Sequence, residues 1–117
     1  MHNQPQVITL HPGSPIELTM HITNDYTKGL QIRADLSGST VDPGQSRIER
    51  SKYRAFSNAV HSAVYAAPKL GLRIKPAYSI ATNDQTGEVT CNIPAVSSQE
   101  AVAMLEYLSG VGVRALA

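Results

Sequence analysis

Strict two-residue alternation is the feature that most constrains this chain. In Ile16-Glu17-Leu18-Thr19-Met20-His21-Ile22 every second residue is apolar, and Leu30-Gln31-Ile32-Arg33-Ala34-Asp35-Leu36 repeats the pattern. A strand turns successive side chains to opposite faces, so each run has one buried and one solvated side. The polar stretch Thr23 to Gly29 between them reads as a hairpin loop. Val7 to Leu10 adds a shorter edge strand, cut off by His11-Pro12-Gly13-Ser14-Pro15, which cannot continue a ladder. Residues 1–6 are expected to be a flexible tail.

The period then changes. Asp42-Pro43-Gly44-Gln45 predicts a helix start, with Asp42 as cap, Pro43 in the first turn and Gln45 completing a capping box. Helical spacing runs on to Ala67, placing Ile48, Phe56, Ala59, Val60 and Ala63 on one face, and Pro68 predicts its end. The second half repeats this order. Leu72, Ile74, Tyr78 and Ile80 form a strand that Pro76 demotes to an edge. Thr82 to Gly87 is a turn, with Gly87 suited to a left-handed conformation. Val89, Cys91 and Ile93 return. Ser97-Ser98-Gln99-Glu100 then caps a helix that buries Ala101, Val102, Leu105 and Leu108 and stops at Gly110. Val111 to Ala117 fits a last strand or a tail.

The expected fold is therefore α+β: strand–strand–helix written twice, a single domain over residues 1–117. Four to five antiparallel strands would carry both helices on one face. The predicted core holds Leu18, Met20, Ile32, Phe56, Ala59, Val60, Tyr78, Val89, Cys91 and Leu105.

Composition narrows the function. Ten basic side chains nearly cancel nine acidic ones, and charged residues are only 16% of the chain. That balance excludes a histone-like basic binder and an acidic nucleic-acid mimic. A hydrophobic fraction of 42% supports a packed core and argues against wholesale disorder. The one cysteine, Cys91, excludes an intramolecular disulfide and any zinc site built on paired cysteines. No apolar run reaches the ~20 residues of a membrane span, and no basic segment followed by an apolar run marks a secretory signal. The expectation is a soluble cytoplasmic protein with no membrane partner.

Signatures of chemistry are missing. His2, His11, His21 and His61 show no metal-ligand spacing, and Glu17 lies roughly 13 Å from His21 along one strand face. Nucleophile elbows, phosphate loops and dinucleotide fingerprints do not occur. No catalytic residue, metal ligand or cofactor is assigned.

Two surfaces stand out instead. At ~100° per residue, Arg47, Arg50, Arg54, Asn58 and His61 fall on one stripe of the first helix. Arginines held this way grip phosphates or carboxylates. The open sheet face offers Thr19, His21, Gln31, Arg33, Arg73, Lys75, Ser79, Thr90 and Asn92, with Arg33 expected to be partly neutralised by Asp35. No exposed aromatics are expected there for stacking bases. The partner-binding set is Arg47, Arg50, Arg54 and His61, assisted by Arg33, Arg73 and Lys75.

The expected function is a non-enzymatic binding protein, a regulator or inhibitor docking on a larger protein complex. In size and single-domain organisation it is generically similar to small bacterial or phage accessory proteins. The alternative is a nucleic-acid or nucleotide-phosphate binder using the basic stripe. An uncovered sheet face and the edges at Val7–Leu10 and Leu72–Ile80 also invite homodimerisation.

Overall fold

A computed structural model of the protein describes residues 6–25, 29–38, 46–69, 78–94 and 98–116. Strands β1 (Gln6–Leu10), β2 (Leu18–Asp25) and β3 (Gly29–Asp35) come first, followed by helix α1 (Arg50–Lys69). Strands β4 (Ser79–Thr82) and β5 (Glu88–Ile93), helix α2 (Ser98–Val111) and strand β6 (Gly112–Leu116) complete the order. The strands form one antiparallel sheet in the order β4-β5-β3-β2-β1-β6. This is the α+β class implied by the alternation, with one strand added.

The alternation sets which face is buried. Leu18, Met20 and Ile22 of β2, Leu30, Ile32 and Ala34 of β3, and Val89, Cys91 and Ile93 of β5 all point inward. Facing them are Phe56, Val60, Ala63 and Val64 from α1 and Ala101, Met104, Leu105 and Leu108 from α2. All belong to one continuous cluster, so both helices cover the same face. Among the described residues no helix lies over the opposite face. Gln31, Arg33 and Asp35 are exposed there, with Glu88 and Asn92 from β5.

Several expectations need correction. β1 is not an edge, because β6 pairs along its whole length. The segment left open at Val111–Ala117 thus supplies the outer strand. Gln6, expected in the tail, begins β1. Ile16 lies outside β2, because successive turns closed by Ser14 N–H to His11 O and Glu17 N–H to Ser14 O delay the strand until Leu18. α1 begins at Arg50 and runs one residue past Pro68. Gly110 does not stop α2; it is helical, and β6 follows at once from Gly112. Val102 is 52% exposed, and Met104 takes the buried place expected for it. Tyr78 is half-buried, packed against the core from its margin. The proposed cap Asp42–Gln45, most of the strand segment around Pro76, Ser97 and residues 1–5 lie outside the described residues.

Gly87 fulfils its expectation with φ of 84°. A Cβ there would also lie 2.7 Å from the Ser37 Cβ, so the site needs glycine twice over. Asn83 organises the same turn: its Oδ1 accepts from Gln85 N–H at 3.0 Å and Thr86 N–H at 3.2 Å.

Candidate binding surface

The chain enters α1 through residues 46–49, which are not helical. Arg47 N–H donates to Asp84 O at 2.8 Å, and Glu49 N–H donates to Leu36 O at 2.8 Å. Ile48 forms a bridge with Ser37. Ser46 Oγ donates to Asp84 Oδ1 at 2.9 Å. This strap ties the start of α1 to the ends of β3 and β4. Glu49 then caps the helix, its carboxylate accepting from Ser51 N–H at 3.0 Å and Lys52 N–H at 3.3 Å. A carboxylate placed there also meets the positive end of the helix dipole.

That geometry revises the basic stripe. Arg47 stands in the strap, outside the helical repeat, while Arg50, Arg54, Asn58 and His61 are exposed on α1 as expected. Lys52 is turned away from them and donates from Nζ to Ser37 O at 3.0 Å. His61 is partnered: its Nδ1 shares a hydrogen bond with the Tyr78 hydroxyl at 3.2 Å, and its ring meets Tyr65 edge-on at 4.4 Å. Among the described residues, no carboxylate pairs with Arg50 or Arg54.

A groove of about 640 Å³ opens beside the two arginines. Arg50, Tyr53 and Arg54 line its α1 side, and Thr82 and Asp84 line the sheet side. The sequence signalled the arginines but not their companions. Thr82 and Asp84 read only as turn residues, and nothing in Ser46 foretold that it would hold Asp84.

The open sheet face is chemically quieter. A shallow depression of about 490 Å³ is lined by Glu17, Thr19, His21, Arg33, Asp35 and Glu88. Arg33 pairs with Glu88 across the strands at 3.9 Å, both side chains being 53% exposed. Asp35, the neighbour expected to neutralise it, is engaged elsewhere. Its Oδ1 accepts from Ser37 N–H at 2.9 Å and Ser37 Oγ at 2.7 Å. Those two hydrogen bonds hold its carboxyl below the ordinary aspartate range, against a small opposing effect of burial. Glu17 accepts from Gly13 N–H at 2.8 Å. Arg73 and Lys75 lie outside the described residues.

Among the described residues, the one thiol is not placed for chemistry. Cys91 is buried in the core and its thiol is pushed up to about 12 by desolvation, which removes the thiolate a nucleophile needs. Among the described residues no group of three His, Cys, Asp or Glu side chains could hold a metal ion. No described helix is long and apolar enough to cross a membrane. Comparison with protein-family models, curated proteins and solved structures finds no match for the chain.

Proposed function

We propose that this protein is a non-enzymatic binding module of the cytoplasm, a regulator or inhibitor that docks on a larger protein through the exposed side of α1. It would belong with the small accessory proteins of bacteria or their phages. The supporting observation is the pair Arg50 and Arg54, presented on one helix beside a groove and without a carboxylate partner among the described residues. An exposed guanidinium offers its planar fork of donors to a carboxylate of a partner. Rigidity favours the same role, because the strap and the Glu49 cap fix the helix end that bears the arginines.

A phosphate-bearing partner is the second reading, since guanidinium groups grip phosphate equally well. A net charge of only +1, which leaves no broad positive field, weighs against it. Binding that falls as steeply with salt as counterion release requires would favour nucleic acid. A second copy of the chain is the other protein partner to consider, and sedimentation at high micromolar concentration reads it directly.

The test is capture from nuclease-treated host extract by immobilised wild type and by the double variant Arg50→Glu, Arg54→Glu. A protein retained by wild type and lost by the folded variant supports the proposal. Equal retention by both contradicts it.

A further inference from the structure

The strand beside the groove narrows the chemistry of the partner. Among the described residues β4 lies at one edge of the sheet and pairs only with β5. Asn83 N–H donates to Glu88 O at 2.8 Å, which makes Asn83 and Glu88 a hydrogen-bonded pair. Antiparallel ladders alternate, so Ala81 and Ser79 bond toward β5 whereas Ile80 and Thr82 turn their N–H and C=O groups outward. Among the described residues nothing bonds those outward groups.

Exposed edges are ordinarily blunted by charge or proline. β6, at the opposite edge, carries Arg114 in its middle. Within its described residues, Ser79-Ile80-Ala81-Thr82, β4 carries neither device. The described part of this edge meets the groove at Thr82, beside Arg50 and Arg54, which pair with no carboxylate among the described residues.

Spacing connects them. Four residues along α1 separate Arg50 from Arg54 by about 6 Å at 1.5 Å per residue. On an extended chain, positions i and i+2 lie on the same face about 6.7 Å apart. A strand laid along β4 with carboxylates at i and i+2 toward the helix layer would thus match the two guanidinium groups.

We infer that the groove receives an extended, acidic segment of another protein, added to the sheet as a further strand beside β4. The inference rests on the α1 contact proposed above. Backbone bonds to Ile80 and Thr82 supply pairing, and Arg50 and Arg54 select the charge pattern.

The probe is a capped pentapeptide, acetyl-Ser-Glu-Val-Glu-Thr-amide, titrated to millimolar concentration into isotopically labelled protein and followed by nuclear magnetic resonance. Amide shifts at Ile80 and Thr82 are expected together with side-chain shifts at Arg50 and Arg54. Methylating the peptide nitrogens should abolish the β4 shifts, and replacing both glutamates by lysine should weaken binding by ~10-fold or more. Absence of binding, shifts confined to the open sheet face, or an undiminished response to the methylated peptide would overturn strand addition. So would β4 amides already protected in a sedimenting dimer, because a second copy would then hold the edge. Binding at the arginines with β4 silent overturns strand addition but leaves the α1 contact standing. Full binding by a folded Arg50→Glu, Arg54→Glu variant overturns the α1 contact itself.

Discussion

The two helices share one sheet face and differ in everything they show to solvent. α1 is entered through a strap hydrogen-bonded to Leu36 and Asp84, is capped by Glu49, and exposes Arg50, Arg54, Asn58 and His61. α2 contains no lysine or arginine, exposes Val102, Glu106 and Tyr107, and passes directly into β6. The same strand–strand–helix order therefore serves two purposes. One helix closes the core while presenting fixed charge beside an open edge; the other closes the core and delivers the strand that protects β1.

Substitutions that treat the helices alike should give unlike results. The largest difference is expected between Phe56→Ala and Val102→Ala. Phe56 is fully buried under α1, so its truncation should cost about 3–5 kcal/mol. Val102 is exposed on α2, and its truncation should stay within about 0.5 kcal/mol. Urea unfolding of both variants measures this, and equal midpoints would break the contrast.

Glycines come next. Gly87→Ala should destabilise by about 1–3 kcal/mol, because φ is positive and a Cβ would press on Ser37, where the strap docks. Gly110→Ala meets open space in a helical conformation and should stabilise by about 0.4–1 kcal/mol. Thermal melts moving in opposite directions would confirm that the two sides are built differently.

How far the sequence carried the fold is plain from the same elements. Alternation revealed β2, β3 and β5 because each has one wet and one dry face, and that pattern survives any context. It could not locate the start of α1. The helical period reaches back through Ile48 and Arg47, yet backbone groups of Leu36 and Asp84, distant in sequence, hold residues 47–49 in the strap. Arg50 and Arg54 were legible as a pair at helical spacing. Their groove was not, since Thr82 and Asp84 join it only through the pairing of β4 with β5. Val102 was misplaced because an apolar residue on an amphipathic helix is assumed to be buried, and nothing local said otherwise.

Smaller effects sharpen the account of the strap. Glu49→Ala removes the carboxylate that accepts from Ser51 and Lys52 and should cost about 1 kcal/mol in thermal stability. An unchanged melt would mean that the strap alone fixes the helix entry. The smallest expected effect belongs to Asp35, whose carboxyl is held low by Ser37. A carboxyl lowered in the folded state stabilises the fold above the unfolded value, near ~3.9, and loses that contribution as pH falls through the folded value. Asp35→Asn should therefore be slightly less stable than wild type at neutral pH, with the difference fading as pH falls through the folded value. A difference that persisted undiminished in acid would assign it to packing instead of charge.

The central claim is that the exposed arginines of α1, and not the open sheet face, carry the contact. Its most direct test compares Arg50→Glu, Arg54→Glu with Arg33→Glu, Gln31→Glu for retention of the captured host protein, each variant first shown to melt like wild type. The account predicts loss of the partner only from the α1 variant. Retention by that variant, with loss from the sheet-face variant, would contradict it.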